Sequence, residues 1–141
     1  MIIVENKFIP FDGFCAMTVY PFIFVRKDCK RKDREIVLNH EFIHGRQQTD
    51  VMICSLSIMI ILNLILNFII PIWVILGLPL CSFYLLYTIN WIINFIANPN
   101  DPYKEIVFER EAYANEKDFK YLKKRKWYDV FKYFKFKKKK K

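Results

Sequence analysis

His40 and His44, the only two histidines of this chain, stand four residues apart, with Glu41 directly after the first. On a helix, positions i and i+4 share a face, so both imidazoles can address one metal ion while Glu41 sits about 100° further round the axis. A catalytic zinc needs about three protein ligands and an open position for water, and imidazole is one of its preferred ligands. The metal acidifies that water to a pKa of about 7, and a neighbouring carboxylate can take its proton and pass it to a leaving amine. The residue types at this spacing therefore point to zinc-assisted hydrolysis, with His40 and His44 as metal ligands and Glu41 as general base.

The elements that must hold these residues are unusual for a soluble enzyme. After six further residues beyond His44 the chain enters a stretch, residues 51–100, without a single Asp, Glu, Lys or Arg. At 141 residues the chain has room for one domain, and the uncharged third leaves too little soluble material for an independent core. The stretch is long enough to cross a bilayer about twice. Pro71, Gly77 and Pro79 divide it, so a first span is expected over 51–70 and a second over 80–97, or over 72–97 if Pro79 only kinks the helix. Asn63 with Asn67, and Asn90 with Asn94, are i,i+4 pairs suited to hydrogen bonds between the spans.

Seven Lys or Arg lie from Arg26 to Arg46, fifteen from Lys104 onward, and none between the spans. The distribution predicts a multi-pass membrane protein with both termini in the cytoplasm. No cleavable signal is read at the N-terminus, because the apolar run 14–25 precedes its basic cluster instead of following one. Cys15, Cys29, Cys54 and Cys81 show no Cys-x-x-Cys spacing and no disulfide framework, in keeping with a reducing compartment.

Residues 1–32 read as a β-hairpin, its extended segments 2–9 and 14–25 joined by Pro10-Phe11-Asp12-Gly13. The hairpin either covers the apolar face of the following helix or offers a strand edge to an extended peptide. Residues 33–50 carry the histidines on a helix that Asp33 can cap. Beyond the spans, Asp101 and Pro102 suit the N-cap and first position of a helix over 101–122. On it Glu105, Glu109 and Glu116 fall near one face, and one of them can close a His, His, Glu site. The tail, 123–141, interleaves Trp127, Phe131, Phe134 and Phe136 with lysines, an amphipathic pattern suited to anionic lipid. A net charge of +9 also invites nucleic acid, but the excess is juxtamembrane, where lipid is the nearest polyanion, and nucleic acid is set aside.

His40-Glu41-x-x-His44, followed after membrane helices by Glu109-x-x-Ala112, resembles the gluzincin metallopeptidases, particularly integral-membrane ones such as prenyl-protein and heat-shock peptidases. It is also similar to a group of small bacterial membrane proteins, which suggests a bacterial inner membrane. The resemblance implies Zn2+ bound by His40, His44 and Glu109, with Glu41 as base and Ala112 letting the helices approach. Glu105, Glu111 and Glu116 stay open as alternatives for the third ligand. Where those peptidases place Asp after the Ala, this chain has Tyr113, so Tyr113 and Glu116 become candidates for orienting a ligand histidine. Tyr113 or Tyr103 is the candidate for stabilising an oxyanion.

The expected fold is a mainly α membrane protein, a two-helix transmembrane hairpin carrying cytosolic zincin-like helices and a short N-terminal β-hairpin. Three functions fit: a membrane-embedded zinc metallopeptidase acting on a peptide or protein; a zinc-binding scaffold or sensor without catalysis; and a metal-free basic membrane protein acting through lipid or a partner.

Overall fold

The computed structural model describes residues 1–11, 13–27, 34–97 and 99–134. Asp12, Asp33, Cys29, Phe136 and the terminal lysine run lie outside the described residues, and with them the helix cap expected at Asp33.

Three strands, β1 (Ile2–Asn6), β2 (Ala16–Val19) and β3 (Phe22–Arg26), form a small sheet in the order β1-β3-β2. This corrects the expected single hairpin. The extended run 14–25 breaks at Pro21, which has no N–H to give a ladder, and folds on itself as the β2–β3 hairpin, with Ala16 opposite Val25. The first segment then lies parallel to β3, with Ile2 opposite Phe22, so β1 is not joined to its neighbouring strand by a hairpin turn. The alternation of β3 places Ile23 and Val25, both fully buried, against Val37, Leu38 and Phe42 of the following helix. Ile23→Ala is expected to cost about 2–5 kcal/mol in chemical denaturation, the range for emptying a closed core position.

α1 (Arg34–Ile65) is one continuous helix of 32 residues. It joins the histidine segment and the first apolar segment in a rod of about 48 Å, because nothing between them breaks a helix except Gly45. It stops at Ile65, short of the expected 70. Asn67 and Phe68 take the left-handed conformation (φ 52° and 63°), the Phe68 amide donates to the Asn63 carbonyl, and the Ile70 amide donates to Asn63 Oδ1 at 2.9 Å. α2 (Ile72–Ala97) begins straight after Pro71 and runs through Pro79, so the longer of the two expected spans forms. Ser55 and Ser82 hydroxyls meet at 3.1 Å between the two helices.

The asparagines have other uses than the expected bonds between spans. Asn63 closes the end of α1, while Asn90 Oδ1 accepts the Val107 amide at 2.8 Å and Asn94 at 3.4 Å. Asn90 thereby caps α3 (Val107–Asn115) from the neighbouring helix. The helix expected over 101–122 is thus reduced to nine residues, preceded by a turn. Its C-terminal end is set by Asn39 of α1, whose amide donates to the Glu116 carbonyl at 2.7 Å, and by Asn115, which bonds back to the Glu111 carbonyl.

A short α4 (Tyr121–Lys124) and a 3-10 turn (Asp129–Tyr133) follow. They pack back on α3, where Arg110 donates to the Tyr133 carbonyl and Asn115 to its hydroxyl, so the described part of the tail belongs to the fold instead of forming a separate amphipathic helix. Trp127, Phe131 and Phe134 remain exposed.

α1 and α2 are both long and apolar enough to cross a membrane. Only 17% of the most apolar window of each is buried, so most of these side chains keep apolar surface uncovered by the described residues.

Candidate metal centre

α1 presents His40 and His44 one turn apart, and their Nε2 atoms face each other at 3.0 Å. α3 brings Glu109 to the same point, with Oε2 3.3 Å from His40 Nε2 and Oε1 3.3 Å from His44 Nε2. All three residues are buried. The outer nitrogen of each ring is occupied: His40 Nδ1 meets Glu116 Oε2 at 3.0 Å and His44 Nδ1 meets Gln47 Oε1 at 2.8 Å. A carboxylate can only accept, so His40 carries a proton on Nδ1, which makes Nε2 the nitrogen available to an ion.

This donor set fits a divalent cation. Tetrahedral zinc with bonds of about 2.0–2.2 Å separates its ligand atoms by about 3.3–3.6 Å, a few tenths of an ångström or less from the spacings seen here. Glu109 Oε2 is buried and accepts no hydrogen bond from any described residue, an expensive arrangement for a carboxylate oxygen that a cation would relieve. Its other oxygen accepts the Tyr87 hydroxyl of α2 at 2.8 Å. Burial pushes the Glu109 carboxyl up, but the two imidazoles beside it outweigh that and hold it below the ordinary carboxylate range, ready to ligate.

Glu41 lies on the sheet side of the same helix. Its Oε2 accepts the Thr18 hydroxyl of β2 at 2.7 Å, and the Glu41 backbone carbonyl accepts it at 3.0 Å. Glu41, His44 and Glu109 share one wall of a cavity of about 290 Å³, otherwise lined largely by apolar and aromatic side chains such as Phe14, Phe83 and Tyr103. Tyr103 stands next to the ligand carboxylate; burial and the Glu109 charge push its phenol above the usual range, so it stays a neutral donor. β2, an edge strand of the sheet, also lines this cavity. Part of its edge is taken, because the Gln48 carboxamide donates to the Thr18 carbonyl at 3.0 Å and accepts the Tyr20 amide at 2.9 Å.

Of the carboxylates left open as third ligand, Glu109 is the one brought to the histidines. Glu105 pairs with Arg110 and Glu111 with Arg125, while Glu116 orients His40. Of Tyr113 and Glu116, the two candidates for orienting a ligand histidine, it is Glu116 that bonds His40, the chain turn beyond α3 swinging it back towards α1. Tyr113 instead sets its ring edgewise against His40, centroids 4.7 Å apart. Sequence reasoning missed Thr18, Gln47, Gln48 and Tyr87. Gln47 was within reach of it, as the i+3 neighbour of His44, whereas Tyr87 sits in an apolar run with nothing to mark it. Comparisons with models of protein families, with curated proteins and with solved structures find no match, so no relative assigns a role to these residues.

Proposed function

We propose that this chain is a metal-dependent peptidase, zinc being the metal best suited to its ligands, set in a membrane and acting near the cytoplasmic face. The observation that carries the reading is the meeting of His40, His44 and Glu109 around one point, with Glu41 lining the same cavity as His44 and Glu109. A divalent metal held there supplies Lewis acidity, bringing a water towards a pKa of about 7 and polarising a carbonyl.

The chain's own residues supply the rest. Glu41 takes the proton from the attacking water and returns it to the departing amine, and the Thr18 hydroxyl keeps its carboxylate in place. Tyr103 is the donor for the oxyanion. An extended peptide pairs with what Gln48 leaves free of the β2 edge. The charge-free faces of α1 and α2 support membrane insertion, the basic flanks support a cytoplasmic site, and the lysines and exposed aromatics of the C-terminal segment suit anionic lipid. The resemblance to integral-membrane gluzincins points the same way.

A second reading, a metal-pinned scaffold or sensor, draws on the burial of all three ligands, which is the habit of structural sites. Glu41→Gln separates the two. With an unstructured protein such as casein as probe, in detergent, the peptidase reading expects hydrolysis to fall about 10²–10⁴-fold at unchanged metal content. Hydrolysis by the wild type that Glu41→Gln leaves untouched would remove Glu41 from the mechanism. No hydrolysis by a metal-loaded wild type would favour the scaffold.

A further inference from the structure

Behind His44 runs a chain of buried polar groups that ends in the C-terminal segment. Gln47, 1% exposed, turns Oε1 to His44 Nδ1 and donates from Nε2 to two acceptors, the Phe108 carbonyl at 3.0 Å and Glu111 Oε2 at 2.9 Å. Glu111, fully buried, is held on its other side by the Tyr121 hydroxyl at 2.9 Å and by the Arg125 guanidinium, which also bonds Asp50.

An amide flipped by 180° looks almost the same in shape, so its neighbours decide which end is which. Here they leave one answer. The Phe108 carbonyl and the Glu111 carboxylate can only accept, so the Gln47 NH2 must face them and its oxygen must face His44. An oxygen there requires a proton on Nδ1, and with Nδ1 so occupied Nε2 is the nitrogen that can bind an ion beside Glu109 and His40. Arg125 is what allows a charged Glu111 to sit in the interior and impose this order.

We infer that Glu111 is a positioning residue for the metal centre: acting through Gln47, it fixes the Nδ1–H form of His44 and so aims Nε2 at the ion. The inference rests on the metal-site reading for its consequence, but the state of His44 can be observed separately. Glu111→Gln gives position 111 an NH2 of its own and leaves the Phe108 carbonyl as the one remaining acceptor that requires the Gln47 NH2, so the amide can reverse for the loss of that single bond and present its own NH2 to Nδ1. Partners of ligand histidines typically contribute about 10–100-fold in metal affinity.

The experiment uses the full chain in detergent, labelled with 15N at histidine, with zinc affinity read by competition against a chromophoric chelator. In the wild type the His44 Nδ1 proton should be visible and protected from exchange, both metal-free and loaded. In Glu111→Gln the protection should be lost and zinc affinity should fall about 10–100-fold, with helical content unchanged. Gln47→Met, which removes the acceptor and leaves Glu111 with Arg125, should do the same and stands in if Glu111→Gln does not fold. Affinity within twofold of wild type in the folded variants, or a protected Nδ1 proton that survives both substitutions, would overturn the inference. A protected proton in a wild type that takes up no zinc would instead overturn the metal reading and leave the Glu111–Gln47–His44 order standing.

Discussion

Purified in detergent, the chain is expected to carry about one divalent ion, and His44→Ala or Glu109→Ala to remove it. The size of the effect follows from the ligand count. Structural zinc sites bind with about 10–16 kcal/mol spread over four ligands, so one ligand is worth about 3–4 kcal/mol, a loss of about 10²–10³-fold in affinity. Elemental analysis of wild type beside the two variants checks this directly. The variants should differ in one respect. Loss of the His44 ring leaves Glu109 with His40 and the Tyr87 hydroxyl, whereas Glu109→Ala leaves the two Nε2 atoms, 3.0 Å apart, with no anion between them. Metal retained at full stoichiometry in Glu109→Ala would move the third ligand to another carboxylate, such as Glu116, which lies 3.0 Å from His40 Nδ1. No metal in a folded wild type would leave Glu109 Oε2 held by the neighbouring His40 ring alone.

The pair of histidines was legible in the sequence because helical spacing alone puts i and i+4 on one face, and α1 has nothing to interrupt that spacing. Glu109 was legible only through a resemblance: spacing gave three acidic residues on one face, and what selects among them is contact. Arg110 claims Glu105, the short turn after Asn115 carries Glu116 round to the far nitrogen of His40, and Glu109 alone remains between the imidazoles. The two apolar helices could be read from composition, yet their ends depended on single residues. Asn67 closed α1 early by taking a left-handed conformation, and Pro79 failed to open α2 because a helix can lose one donor and continue. The sheet order was not legible, since Pro21 splits an extended run without saying which strand the first segment will join. The same holds for Asn90, which sits in the middle of a span and caps a helix seventeen residues further along the chain.

Arg125→Met is expected to be the most destabilising substitution of a charged residue. Its side chain is 1% exposed and lies between two carboxylates that are themselves shielded, Glu111 at 0% and Asp50 at 10%. Surface pairs such as Lys104 with Asp101, both largely solvated, contribute about 0–1 kcal/mol because water and salt already compensate them. Water does not reach Glu111, so removing the guanidinium strands a buried charge, and the cost is about 3–5 kcal/mol. Arg125→Lys should recover only part of it, because one ammonium cannot reproduce the fork that serves Glu111 and Asp50 together. Chemical denaturation in mild detergent, at low and at high salt, measures both points. The loss should be nearly independent of salt for a pair this deep, and a loss below about 1 kcal/mol would mean that water enters the site when the arginine leaves. Arg125 lies in a lysine-rich segment whose aromatic side chains face outward, and Asp50 lies where α1 becomes free of charge. The ion pair therefore ties the C-terminal segment to α1 at the level where the metal ligands end and the apolar helix begins.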